Sequence, residues 1–218
     1  YQKIIDGCKQ VIENYKPTID LDPTWEMVKL GEICDVGSSK RIYKKEYASE
    51  GVPFYRTKEV VELEKGEDIS LELFISQSRF DEIKEKHGTP QKDDILISAV
   101  GTIGISWVVD RDFDFYFKDG NLLWLRNIGS EVQSIFLKTV FDSIFKSKKD
   151  SLVAGAAYNA LTIITLKDLK VPLPNKETQE EIVKKIEAER KVIEGNKKLI
   201  ETYTQKIQDR INKVWGED

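Results

Sequence analysis

Residues 166–187 read LKDLKVPLPNKETQEEIVKKIE, and the chain changes character in the middle of that stretch. Before VPLP lie many short runs of branched and aromatic residues. From Glu177 to Trp215 there is no proline and one glycine, Gly195. Thr178 with Glu181 three residues later predicts a capping-box helix start. Ile186, Ile193, Ile200, Ile207 and Val214 then recur every seven residues, while Val192, Leu199, Tyr203 and Ile211 widen the stripe. At 1.5 Å per residue this is a helix roughly 58 Å long. Ten acids balance ten bases from Lys176 to the end, so the face away from the stripe suits water. The intermediate positions Glu189, Asn196 and Arg210 are polar, which disfavours a free two-stranded zipper and suits antiparallel pairing with another helix. A surface helix lying on its own domain is the alternative.

A partner for that pairing stands at the start of the chain. Ile4, Ile5, Cys8, Val11, Ile12 and Tyr15 form one helical stripe over residues 4–15, ended by Pro17 and Pro23. Between these helices, residues 25–174 read as one α+β globular domain of mixed, largely β content. MVKLGEICDV, VPFYR, DILISAV, ISWVV, FDFYF, LLWLR and LTIITL are the strand-like runs. Two helices are expected among them: SQSRFDEIKEKHG, with Ser78 and Asp81 at capping spacing and Gly88 at its end, and SEVQSIFLKTVFDSIFKSKKD, with Val132, Ile135, Phe136, Val140 and Ile144 on one face. The organisation is thus 1–24, a helix end and linker; 25–174, the globular domain; and 175–218, the long coiled-coil-type helix.

Composition removes several classes of function. The chain has 218 residues, 33% charged and 40% hydrophobic, and a formal net charge of -4. No apolar run approaches the ~18–20 residues that span a bilayer, and YQKIIDGCKQ lacks the apolar core of a signal peptide. Two cysteines, Cys8 and Cys34, and one histidine, His87, make neither a disulfide framework nor a metal-ligating set. A reducing, cytoplasmic setting is the expectation. With no initial Met, the sequence reads as a piece of something longer. GTIG, residues 101–104, is not followed by Gly-Lys-Ser/Thr, so it reads as a hairpin turn between DILISAV and ISWVV. Glu82-Ile83-Lys84 has the shape of a nuclease fragment but lacks a preceding Pro-Asp. No Asn-Pro-Pro-Tyr or Asp-Pro-Pro-Tyr is present, as an amino-methyltransferase would need. The expectation is a binding module with no catalytic residue, no metal and no cofactor.

Charge is segregated along this module. Lys40 to Lys58 holds six bases and two acids, and Glu59 to Glu82 eight acids and two bases. The segment 37–47, GSSKRIYKKEY, carries four positive charges and two tyrosines straight after a glycine and two serines. It reads either as a solvated loop or as a contact for a polyanion. On the second reading Ser38, Ser39, Lys40, Arg41, Tyr43, Lys44 and Lys45 face DNA, joined by Arg56, Thr57 and Lys58 after VPFYR, since Arg pairs with guanine and Lys and Tyr contact phosphates or bases. GAAYNA, residues 155–160, is a second candidate: small residues permit close approach, and Tyr158 with Asn159 offers donors and acceptors. A buried turn is the other reading of GAAYNA.

WEMVKLGEICDVGSS, EYASEGVPFYRTKEV, DDILISAVGTIG and LKDLKVPLPNKETQEEIVKKIE, in this order and spacing, resemble the specificity subunit of type I restriction–modification enzymes. The resemblance covers nearly the whole chain. It implies that residues 25–174 are one target recognition domain and 175–215 a conserved spacer helix. YQKIIDGCKQVIENYKPTIDLDP is similar to the end of a preceding spacer helix and its linker. Family members usually carry two recognition domains; one complete copy is present here, so the chain resembles a C-terminal half or a half-subunit that pairs with itself. The resemblance further implies reading of one half of a bipartite DNA target and docking of methylation and restriction subunits. S-adenosylmethionine and ATP chemistry would belong to those partners. Ile186, Ile193, Ile200, Tyr203, Ile207 and Val214 are the expected helix-pairing residues, with a homodimer through the long helix or a monomer both open. Two alternatives stay open: a helical protein–protein scaffold that does not read DNA, and the recognition module of a fused restriction–methyltransferase enzyme.

Overall fold

LLWLR becomes the middle of the larger sheet. In the computed structural model, which describes residues 1–15, 19–110, 113–153 and 160–215, strand β9 (Leu122–Arg126) lies between β2 (Asp35–Gly37) and β6 (Ile95–Ser98), and β7 (Ser106–Val108) completes the order β2-β9-β6-β7. All pairings here are antiparallel, with Val36 opposite Leu125, and Leu96 opposite both Trp124 and Trp107. Every residue of β6 and four of the five in β9 are buried. That explains why these runs read as continuous hydrophobics rather than alternating ones.

A second sheet has the order β3-β5-β4-β8, from Tyr47–Ala48, Phe74–Ile75, Val52–Tyr55 and Tyr116–Phe117. Its β4–β8 pairing is parallel, Phe54 opposite Tyr116 and Tyr55 opposite Phe117. A two-stranded ladder, β1 (Met27–Lys29) with β10 (Lys170–Pro172), ties the start of the domain to its end. One core cluster gathers Tyr55, Phe115, Phe117, Trp107 and Trp124; another gathers Phe54, Ile75, Phe80, Ile83 and Tyr116 around Ile42. Each such aromatic or aliphatic burial is worth about 1.5–3 kcal/mol.

The helices depart from expectation in instructive places. MVKLGEICDV is not one strand: a single helical turn, α2 (Leu30–Ile33), separates β1 from β2, with the Glu32 carboxylate accepting from Lys29 N–H at 3.2 Å. TKEVVELE forms α3 (Thr57–Glu64), which the sequence reading passes over. LTIITL is not a strand. Thr162 Oγ1 accepts from Thr165 N–H at 3.1 Å and starts α6 (Ile163–Asp168), so a local cap overrides β-branched propensity. The two expected helices are present as α4 (Gln77–His87) and α5 (Ser134–Val153). α4 is capped by Ser76, not Ser78, and its Gly88 takes φ +76°, the left-handed end that glycine suits. On α5, Lys138 is buried between Glu64 of α3 and Asp142, and Asp142 also accepts from Ser106 of β7. Burial opposes the Lys138 charge, but the two carboxylates more than offset it and raise its pKa.

The long helix is real: α7 runs without a break over Lys176–Trp215, 40 residues and about 60 Å. It begins before the expected box, where Asn175 Oδ1 accepts from Thr178 N–H at 3.0 Å. Gln179 fastens this first turn, its amide reaching Gln133 N–H, Glu131 O and Pro174 O.

The chain divides into two units, Ile19–Gln179 and Tyr1–Thr18 with Glu180–Asp218. In the second, α1 (Gln2–Asn14) buries Ile5 and Cys8 and half-buries Ile12. On α7 Val183 and Ile186 are buried, Ile193, Ile200, Tyr203 and Ile207 are half-buried, and Val214 is exposed. The Tyr1 and Tyr203 rings meet at 5.1 Å, joining the two helices of this unit. Among the described residues no helix is long and apolar enough to cross a membrane.

Candidate nucleic-acid interface

The turn between β8 and β9, residues 118–121 (Lys-Asp-Gly-Asn), joins strands of different sheets, and three other segments are fastened to it or to its flanks. From the β2–β3 loop, Ser38 Oγ donates to Leu122 O at 2.7 Å and accepts from Gly120 N–H at 3.2 Å. Ser39 Oγ donates to Phe117 O at 2.7 Å, and Lys40 N–H donates to the Tyr116 hydroxyl at 2.7 Å. At the end of β4, Tyr55 O accepts from Lys118 N–H at 2.8 Å, which fixes Arg56, Thr57 and Lys58 beside the turn. In the β6–β7 loop, Ala99 N–H donates to Asn121 O at 2.8 Å. Ala99 O in turn accepts from Leu161 N–H at 3.1 Å.

The β6–β7 loop is the expected hairpin turn, and it is held from inside. Ser98 Oγ accepts from Ile105 N–H at 2.8 Å and donates to Thr102 O. Gly104 takes φ +84°, and a Cβ there would sit 1.9 Å from the Phe145 ring. Only glycine satisfies both conditions.

The candidate residues therefore fall into groups. Ser38 and Ser39 are fasteners whose hydroxyls are used by the turn. Arg41 donates through Nε to Asp119 at 2.8 Å, which raises its pKa. Ile42 is buried and pins the loop into the second core cluster. Tyr43, Lys44 and Lys45 stay exposed; the single 3-10 turn over Lys44–Glu46 is closed by Tyr43 N–H donating to Glu46 Oε2 at 2.7 Å. Among the described residues the side chains of Lys40, Lys44, Lys45 and Lys118 form no ion pair.

Arg56 and Lys58 differ. Arg56 binds the buried Glu59 and also Glu72 at 2.8 Å, and Lys58 binds Glu72 at 2.9 Å. Glu59 also accepts from Arg56 N–H at 2.7 Å, capping α3. These contacts raise the Arg56 and Lys58 pKa values and lower that of Glu72, whose largest cause is the hydrogen bond from Lys58. Thr57 lies between them, at the rim of a recess beside α3. Tyr158 and Asn159 lie outside the described residues; Leu161, just beyond them, is tied to Ala99. Sequence reading missed Lys118, Asn121 and Thr102. The Asp-Gly pair in the turn was the available signal, but its flanking runs pair with other strands rather than with each other.

Residues 23–205 match the family model described as the type I restriction modification DNA specificity domain. The chain belongs to this family. A putative type I restriction enzyme specificity subunit of Haemophilus influenzae is 32% identical over 166 residues, covering 76% of this chain and 40% of that protein. Among solved structures, the type I restriction–modification system studied for its complex assembly and conformational transition superposes with TM-score 0.62 at 20% identity, over 98% of this chain and 51% of that one. The HsdS subunit of Thermoanaerobacter tengcongensis gives 0.57 at 19%, over 96% and 50%. The S subunit of M. genitalium gives 0.62 at 17%, over 100% and 56%. The chain thus spans about half the length of the relatives it matches, and it shares their mixed fold with a long terminal helix.

Proposed function

We propose that this chain is a non-catalytic DNA reader of a type I restriction–modification system, recognising one half of a bipartite target through the loop cluster around residues 118–121. The observation that carries this reading is the contrast within the β2–β3 loop: two serine hydroxyls and the Lys40 N–H fasten it through four hydrogen bonds to strand ends and to the turn, while the Lys40, Lys44 and Lys45 side chains remain unpaired among the described residues. Preorganised cations on a rigid loop lose little on meeting a phosphate backbone. Base reading falls to the neighbouring Arg41, Tyr43 and Thr57, and to GAAYNA with Tyr158 and Asn159. Arg56 and Lys58 support the site by shaping the start of α3.

The helical unit sets the distance to the second half-site and docks the methylation and restriction subunits, with a second copy of the chain as a further partner. Exposed Val192, Leu199, Ile211 and Trp215 on α7 favour such a role. Selection from a randomised duplex library at low and moderate salt, with the methylation subunit present, tests the whole reading. Enrichment of a short motif, weakened by Lys40→Ala and Arg41→Ala, is the expected result. Helix pairing without any enriched motif would leave a scaffold.

A further inference from the structure

An open recess of about 540 Å³ lies between α3 and the β6–β7 loop, lined by Thr57, Lys58, Glu62, Thr102 and Asn121 among others. Two residues of its lining each hold a buried side-chain oxygen, Thr57 Oγ1 and Glu62 Oε2, with no hydrogen-bond partner among the described residues. A buried acceptor left unpaired is costly, so such atoms call for a donor from water or ligand. Lys58 does not supply it: its Nζ is 4.0 Å from the other Glu62 oxygen and 2.9 Å from Glu72. The lining sets Glu62 and Glu67 against Lys58 and Lys65, but the buried, unpartnered charged atom is the Glu62 oxygen, and it decides what kind of ligand fits. A carboxylate repels a phosphodiester but accepts from an amino group, and carboxylates read cytosine N4 in this way while amide side chains read adenine N6 and N7.

We propose that this recess takes the exocyclic amino group of one target base, with Glu62 accepting the amino hydrogen that base pairing leaves free in the groove, and with the Thr57 hydroxyl and the Asn121 amide fixing the adjoining base edge. The inference rests on the loop cluster being the DNA interface, because Asn121 is the last residue of the turn that organises that cluster. It explains why a chain presenting lysines to a polyanion keeps an acid in the adjoining recess. The lysines hold the backbone, and the acid discriminates.

The test is selection from a randomised duplex library by the wild type, Glu62→Gln and the near-isosteric Thr57→Val, with thermal melting and the salt dependence of binding measured in parallel. Wild type should enrich adenine or cytosine at one position. Both variants should lower that preference by about tenfold or more, with the salt slope and melting temperature unchanged. Replacing that base by its analogue without the amino group, purine for adenine or 2-pyrimidinone for cytosine, should weaken wild type by a similar factor and Glu62→Gln no further. A wild-type motif that both variants retain at full strength would overturn the recess assignment alone, as would an equal loss of binding on every sequence. Absence of any motif in the wild type would overturn the DNA-reading proposal, and this one with it.

Discussion

Two neighbouring segments carry similar charge and use it in opposite ways. In the β2–β3 loop, serine hydroxyls, a main-chain N–H and the Arg41–Asp119 pair make the attachments, and among the described residues three lysines are left over. At the start of α3, Arg56 and Lys58 are themselves the attachments, bound to Glu59 and Glu72. Charge counted along a sequence is therefore not charge available to a ligand. What separates the two is where the fold sends the nearby acid: Glu46, beside Lys45 in the chain, turns to Arg79, whereas Glu72, distant in sequence, is brought against Arg56 and Lys58.

Four variants press on that contrast. Arg56→Ala removes the guanidinium partner of the buried Glu59, leaving it the backbone N–H of residue 56, and we expect a loss of about 3 kcal/mol of stability in urea unfolding with little change in the salt slope of DNA binding. A slope change as large as that of the loop lysines would erase the distinction. Ile42→Ala removes the apolar pin of the loop; about 2–4 kcal/mol should be lost, and DNA affinity should fall although no charge is altered. Replacing Lys40, Lys44 and Lys45 together by Ala should leave melting nearly unchanged and lower the slope of log affinity against log salt by about 2.7. The smallest effect concerns Glu72. Its pKa is depressed below the ordinary carboxylate value in the folded state by Lys58 and Arg56, so the stability it contributes is present above that ordinary value and is lost as pH falls through the depressed one. The difference in Tm between wild type and Glu72→Gln should shrink over that acidic window and be constant near neutrality.

Legibility in the sequence tracks physical range. α7, α4, α5 and the β6–β7 hairpin declare themselves through periodicity, capping residues and glycine, all of which act within a few positions. α3 was hidden because its cap is unusual: Arg56 occupies the capping position and Glu59 reaches back to it, so the start looks like the tail of a basic run. α6 was hidden because Thr162 and Thr165 are read as strand formers when they serve as a cap. The site was half visible. Lysine, arginine and tyrosine clusters point to a polyanion, but the turn that assembles them works through Phe117 O, Lys118 N–H, Asn121 O and Leu122 O. Main-chain groups are the same in every residue, so no composition marks them. Nor can a sequence reveal that Thr57 and Glu62 end, among the described residues, with unpartnered oxygens in residues that line one recess with Asn121.

That main-chain turn has a consequence for how such a reader diversifies. Two of its attachments, Lys118 N–H to Tyr55 O and Ala99 N–H to Asn121 O, involve no side chain at all. The exposed tips at Tyr43–Lys45 and Val100–Thr102 lie beyond these attachment points. Apart from Gly101, whose φ of +77° favours glycine, their residues are thus interchangeable at little structural cost, and a lineage could revise its vocabulary one tip at a time while the grammar, the placement of each tip against the others, is inherited intact.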